Sequence, residues 1–557
     1  MPVTLIKKRR LLNLLGAEAS DQDLIEALSR TKVEAEVVDP ETLEIEVTPD
    51  RLDLLISEGL ARELKGILGL ERGYPKYNVY DTDITLKVHK NVKRIRPFIA
   101  VAVIKGYYVD QDALEELILF QEKLHMTLGR DRRKVAIGFY DLDKLNSNKI
   151  VYRAEKPENI RYVPLGERVE MSGKEIVEKT EKGRKYRHII EGFGEYPLLH
   201  TDKGQVLSIP TILNSEDTKV EVGTKNLFID VTGTDRYLVN KTLDIIVTTL
   251  AETASEIGRI TVEDVGETYK TPLLSTTELN VELDYIRSIV GLNISDNEIV
   301  ELLERMRYNV ENVGNGVIKV KAPPYRMDIL HKVDVAEDVA IAYGYNELSP
   351  EPPKTFTIGK ELVKTRFIRK IREIMAGLGF QEILTFTLSS RNLVAELLGT
   401  SLDRQVEILN PISPLYNTIR PTLVLNMLQF LKQNQHADHP IKVFEIGDTV
   451  EVVSGEVIGE TKIAASILSY RVGFEDIQAQ LYALFRTLGF SVSLEEENFP
   501  PKIFLKGRVA KVFINGKHRG IVGELNPEYL LEKLGIEYPV AVFEINITNM
   551  WNETRKR

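Results

Sequence analysis

The stretch PPYRMDILHKVDVAEDVAIAYGY carries four carboxylates, Asp328, Asp334, Glu337 and Asp338. The last three fall at i, i+3 and i+4, one face of a helix, where like charges repel by about 0.2–0.5 kcal/mol per pair. The proline pair fixes the approach to that helix, so Asp328 can lie near the same end. Two readings follow. The four acids form a hard oxygen cluster suited to magnesium, whose charge relieves the repulsion. Alternatively they are a solvated face neutralised by Arg326 and Lys332, with Asp328 as a helix cap.

A second polar stretch, PTILNSEDTKVEVGTKNLFIDVTGTD, spans residues 210–235. It sets Asn214, Ser215, Asn226, Asp230, Thr232, Thr234 and Asp235 around apolar Leu227, Phe228 and Ile229. Such residues serve turns and caps through local hydrogen bonds. No Ser-His-Asp arrangement is evident there, so a triad-type covalent intermediate is not expected.

Other chemistries are excluded outright. The chain has no cysteine, which removes disulfides, thiolate nucleophiles and cysteine-ligated metal centres. It contains no Walker loop and no H-E-x-x-H sequence, and its eight histidines are scattered. The net charge of −10 gives no bulk attraction for phosphates, so nucleic-acid contact must come from local basic runs. Lys87–Arg96, Arg130–Lys134 and Lys182–His188 are such runs.

These groups must be held by several domains, because 557 residues exceed what one core serves. An internal repeat organises the chain. Residues 11–70 overlie residues 286–345 at one constant offset of 275, without gaps. Gly16 then meets Gly291, Ser20 meets Ser295, Pro49 meets Pro324, Arg51 meets Arg326, Asp53 meets Asp328 and Gly69 meets Gly344. In each copy Ser20 or Ser295 is an N-cap candidate, an alternating strand follows (LEIEV, VIKVK), and the chain then passes through proline into a second helix. At the places matching the acidic set the first copy has Asp53 and Glu63 but Gly59 and Arg62, so the fold does not demand all four acids.

The expected divisions are an N-terminal module at 1–84, a mixed α/β insert at 85–270, the second module at 271–348, a linker at 349–354 and a last domain at 355–557. Strands are expected at Ile99–Ile104, Lys134–Gly138 and Leu227–Val231. SPEPP supplies the extended linker. The last domain opens on a helix with Phe367, Ile371, Ile374 and Leu378 in one stripe, continues through an alternating strand EILTFTL, and ends with a hairpin turned at Asn515–Gly516. No run of about 18 apolar residues crosses a membrane, and the N-terminus is too interrupted for a signal peptide, so a cytoplasmic location is expected.

PPYRMDILHKVDVAEDVAIAYGY resembles the metal-contributing motif of phenylalanyl-tRNA synthetase beta chains of the archaeal and eukaryotic type, and TPDRLDLLISEGLAREL resembles their first domain. The order of parts also agrees, over essentially the whole chain. The resemblance implies an α+β multidomain fold. Its parts are two repeated helix-and-strand modules, the second winged-helix-like, an editing domain between them, and a class II synthetase-like antiparallel-sheet module without catalytic motifs. It implies magnesium at Asp328, Asp334, Glu337 and Asp338, shared with an alpha chain. It also implies an editing pocket drawn from Asn214, Ser215, Asp230, Thr232 and Thr234, a heterotetramer of two alpha and two beta chains, and tRNA(Phe) as partner. ATP is then a substrate of the complex.

Physics supplies a reason for the pocket. An apolar phenylalanine site cannot strongly reject an isostere that merely adds a hydroxyl, so tyrosine is mischarged at some rate. A second site with an acceptor such as Asp230 or Ser215 bonds the tyrosine hydroxyl, and phenylalanine leaves that group unpaired at about 1–3 kcal/mol. In the last domain neither an F-R-x-E element nor a Gly-rich segment ending in Glu-Arg is present. Phosphate charge there lacks its usual cations, and Arg420 beside Pro421 reads as a packing or interface residue. Two rival readings are a free-standing tRNA deacylase, which has no need of residues 355–550, and a non-enzymatic RNA-binding scaffold.

Overall fold

The computed structural model describes residues 1–353, 355–399 and 401–553, so Lys354 of the expected linker and the last four residues lie outside it. The chain divides into two compact units, Met1–Glu351 and Pro352–Arg557, and the division falls in the proline-rich stretch.

In the first unit the repeat is a repeat of structure. The first copy runs through strand Val3–Lys7, helices Lys8–Leu15 and Asp21–Ser29, strands Val33–Asp39 and Thr42–Val47, and helix Ser57–Ile67. The second copy has the same series: Thr277–Glu282, Leu283–Val290, Asp296–Arg305, Asn309–Gly314, Val317–Ala322 and Lys332–Tyr343. In both three-stranded sheets the last strand lies between the other two. Ser20 and Ser295 are the N-caps, accepting from the backbone N–H of Asp23 and Glu298. Leu24 and Leu28, or Ile299 and Leu303, are buried one turn apart beneath them.

Between the copies lies a ten-stranded sheet. The three expected strands are Phe98–Lys105, Val135–Asp141 and Asn226–Gly233, with Asn226–Gly233 paired antiparallel to the other two. The sheet also takes in Val79–Val88, so the expected boundary at 84/85 falls inside a strand. Leu227, Ile229 and Val231 point to the side covered by helix Arg236–Leu250, whose Val239, Leu243 and Ile246 are buried with them. Asp230 and Thr232 therefore face the other side, by the strict alternation of a strand.

The second unit is built on a seven-stranded sheet. Helices Val363–Gly377 and Phe474–Thr487 cover one face through Phe367, Ile371 and Leu481, while Val424–Asn434 covers the other through Leu425 and Leu428. The hairpin of Phe504–Ile514 and Lys517–Leu525 turns at Asn515 and Gly516, whose φ angles of 50° and 76° suit the tight turn that matches strand twist. The alternating segment EILTFTL is a correction. Only Gln381–Glu382 joins the main sheet, and Leu384 and Phe386 are 90% and 73% exposed. The inward Thr385 is held instead by Glu445, which accepts from its backbone N–H and hydroxyl.

Candidate functional site

Asp230 lies opposite Gly138 in the strand register, and that pairing makes the site. A Cβ at Gly138 would stand 2.3 Å from both Asp230 Oδ1 and Tyr140 Oη, so only glycine leaves room for the two to meet. Two residues along, Tyr140 projects from the same face and donates its phenolic proton to Asp230 Oδ1 at 2.6 Å. Ser208 Oγ, 2.8 Å away, takes the remaining place on the phenol oxygen. Asp230 Oδ2 takes no hydrogen bond among the described residues. Burial pushes the Asp230 carboxyl up to about 7, against the pull of the Tyr140 bond and the Arg96 charge. Burial likewise lowers Arg96 to about 10, and its guanidinium is held by Thr232 through Oγ1 at 2.9 Å and the carbonyl at 2.8 Å.

Gly138, Tyr140, Ser208, Asp230 and Thr232 border a cavity of about 20 Å³. That is room for a water molecule. Its other wall is the segment Ser208–Asn214, with Arg132 and His125 beside it. Thr211 there has φ 81°, a left-handed conformation that costs a β-branched residue about 1–3 kcal/mol. Arg132 Nη1 holds the turn in place by donating to the carbonyls of Thr211 at 3.2 Å and Ile212 at 3.1 Å. Burial drops His125 to about 4, so its ring is neutral at pH 7, and Nε2 accepts from the Ile137 N–H at 2.8 Å. That lone pair is committed and is not offered to a water.

Of the five pocket residues expected from sequence, Asn214, Asp230 and Thr232 line the cavity and two do not. Ser215 is buried, but its hydroxyl accepts from Asp217 N–H as the N-cap of the turn Glu216–Thr218. Thr234 lies beyond the strand end at Gly233, exposed, with its N–H on the Lys134 carbonyl. Asn226 and Asp235 have the local roles of their types: Asn226 bonds Asp143, and Asp235 caps helix Arg236–Leu250. Tyr140, Ser208, Thr211, His125, Arg132 and Gly138 were not singled out from sequence.

The four acids of the second repeat are held by separate partners, except that Asp328 and Asp338 share Arg326. Arg326, buried, donates to Asp328 and Asp338, in each case at 2.7 Å through Nη2. Tyr308 Oη adds a bond to Asp338 at 2.6 Å. Asp334 turns back to accept from the N–H of Leu330 and His331, so His331 is the N-cap of the helix and Asp334 completes its capping box. Glu337 reaches Lys32 of the first repeat at 3.0 Å, and Lys332 pairs with Glu282. Among the described residues no group of three or more His, Asp or Glu is arranged to hold a metal. The carboxylates have a guanidinium, an ammonium or backbone N–H groups as partners.

In the second unit Arg420 is a packing residue. It is buried, donates to Glu445 at 2.7 Å and to Thr385 Oγ1 at 2.9 Å, and its Nε bonds the Asp448 carbonyl.

Along its full length the chain is 42% identical to the phenylalanine–tRNA ligase beta subunit of Saccharolobus solfataricus, covering 100% of both chains. It is 43% identical to that of Aeropyrum pernix, over 98% of each. The chain belongs to the phenylalanine–tRNA ligase beta subunit family. The family's ligase is an aminoacyl-tRNA synthetase. The model of the tRNA synthetase B5 domain matches residues 279–345, which is the second repeat with its Arg326 clamp. That of the phenylalanyl-tRNA synthetase beta chain CLM domain matches 349–547, almost all of the second unit. The crystal structure of an N-terminal fragment of the beta subunit from Pyrococcus horikoshii aligns with a TM-score of 0.59 at 41% identity, covering 61% of this chain and 99% of that one.

Proposed function

We propose that this beta-subunit family member works with an alpha subunit and ATP to attach phenylalanine to tRNA(Phe), and that the Asp230 cavity hydrolyses Tyr-tRNA(Phe). The observation that carries the hydrolytic reading is the half-engaged Asp230 carboxyl, with Oδ1 on Tyr140 and Oδ2 taking no hydrogen bond. A substrate phenol donates to Oδ2, and a phenylalanine ring leaves that buried oxygen unmatched, at a cost of about 1–3 kcal/mol. Tyr140 fixes the carboxyl so that the free oxygen faces the cavity. Space for a water molecule fits hydrolysis by a positioned water. Admission of a tyrosyl group requires the strained Pro210–Ile212 turn to move, and Thr211 stores strain there.

Two features of the second unit favour a subunit that supports synthesis over one that catalyses it. Arg420 is consumed by Glu445 rather than left for a phosphate. Leu384, Leu409 and Ile412 are almost wholly exposed, and Leu384, Phe386, Leu415 and Tyr416 line an apolar groove of 480 Å³, an area that a partner chain covers. The magnesium role is not part of this proposal. The test is deacylation of Tyr-tRNA(Phe) and Phe-tRNA(Phe) by the purified chain. Faster loss of the tyrosyl ester, reduced toward the phenylalanyl rate in D230N, is the expected result. Equal rates for both esters in the native chain would exclude the hydrolytic reading and leave the scaffold alternative.

A further inference from the structure

Two basic runs fifty residues apart in sequence meet at one place beside the cavity. The Arg132 guanidinium lies 4.4 Å over the ring of Tyr186, and Lys185 Nζ lies 5.1 Å from the same ring. Arg132 and Lys182 share Glu122, at 2.8 Å and 3.4 Å. Arg130, Asp131 and Arg132 form an unbroken left-handed turn, with φ 45°, 54° and 65°. Such a run is rare for side-chain-bearing residues. It buries Arg132 while leaving Arg130 and Arg133 on either side exposed. Neither of those two guanidiniums has an ion-pair partner among the described residues. Lys182 and Lys185 are exposed on the neighbouring helix Glu181–Tyr186. Beneath them Arg96 is buried on Thr232 and on the Arg133 carbonyl with no carboxylate bonded to it. Exposed cations are thus gathered beside the cavity in a chain whose net charge is −10.

We infer that Arg130, Arg133, Lys182 and Lys185 form a phosphate-binding rim that seats the single-stranded 3′ end of an RNA over the Asp230 cavity. The inference rests on the hydrolytic reading for its choice of ligand and adds the residues that hold the backbone. Of the third run, Lys87–Arg96, the buried Arg96 reaches this place through the Arg133 carbonyl, whereas Lys93 is paired with Asp264 and Arg94 with Glu195.

The test measures binding of a short fluorescein-labelled single-stranded RNA ending in CCA to the full-length chain, across a series of salt concentrations. Each lost phosphate contact removes about 0.7 from the slope of log affinity on log salt, so R130N/R133A is expected to flatten it by about 1.4. Asparagine is chosen at position 130 because it tolerates a positive φ. K182A/K185A is expected to flatten the slope likewise, and R130K/R133K to restore it. K502A/K506A, in the second unit, should leave it unchanged. Equal slopes for the native chain and R130N/R133A, or an equal fall in K502A/K506A, would overturn the rim. Full slope in a native chain that leaves Tyr-tRNA intact sinks the hydrolytic reading and keeps the rim. Hydrolysis with equal slopes does the reverse.

Discussion

Arg326 closes on Asp338 in the second repeat as Arg51 closes on Glu63 in the first, each guanidinium meeting its helix carboxylate at 2.7 Å. Both pairs are buried, and the two arginines also hold Asp328 and Asp53, the matching acids of their own loops. The clamp ties the turn after the central strand to the last helix of each module. Asp334 and Glu337 replace Gly59 and Arg62 of the first copy, Asp334 completing the capping box of His331 and Glu337 bonding Lys32.

Removing one partner of a buried ion pair leaves an uncompensated charge and costs about 3–5 kcal/mol. D338A is therefore expected to lose stability on that scale. E337Q, at an exposed pair, is expected to lose less than about 1 kcal/mol. Urea unfolding of the two variants checks the contrast, and equal losses would contradict the clamp.

The Asp230 carboxyl sits near 7 in the fold and at 3.8 when unfolded, so the folded state binds the extra proton between those values. Its contribution to stability is then greatest below about 4 and falls as pH rises toward 7. D230N is expected to gain thermal stability relative to the native chain at pH 8 and little at pH 4. Tm measured against pH for both chains reads the difference directly.

His125 has the opposite sign. Its ring titrates near 4 in the fold and near 6.5 unfolded, so its contribution is complete above about 6.5 and is lost as pH falls toward 4. H125Q, which keeps an acceptor for the Ile137 N–H, is expected to flatten the acid limb of the native profile.

Gly138→Ala places a methyl where Asp230 and Tyr140 meet. Overpacking of this kind costs about 1–3 kcal/mol. The larger effect is expected on function: the carboxyl moves, and preference for the tyrosyl over the phenylalanyl ester falls at least tenfold in k for deacylation, on the order of the bond's 1–3 kcal/mol.

The repeat, its caps, the three central strands and the Asn515–Gly516 hairpin were legible in the sequence because each is fixed by local periodicity or by turn chemistry. Asp230 and Thr232 came from the resemblance, since the expected strand ended at Val231, one residue short of Thr232. Ser215 and Thr234 were misplaced. Ser215 follows the short strand Leu213–Asn214 and turns its hydroxyl to a cap, and Thr234 lies past the strand end at Gly233. Tyr140 was missed because the strand was ended at Gly138. Carried two residues further, the alternation sets Tyr140 beside Gly138 on the cavity face. Arg132 and Thr211 reach the site through left-handed turns between non-glycine residues, which no sequence pattern signals. Spacing on one helix face could not show the arginine of the preceding loop that bonds both Asp328 and Asp338. The pairing of Arg51 with Arg326 across the repeat held that information, since Glu63 matches Asp338.

The central claim is a subunit whose second unit engages Arg420 in an internal ion pair while a separate cavity discriminates by hydroxyl. Phenylalanine-dependent exchange of pyrophosphate into ATP tests it most directly, assayed on the purified chain before and after addition of the alpha subunit. No exchange by the chain alone and exchange once the alpha subunit is added is the predicted result. Activation of phenylalanine by this chain without its partner would contradict it.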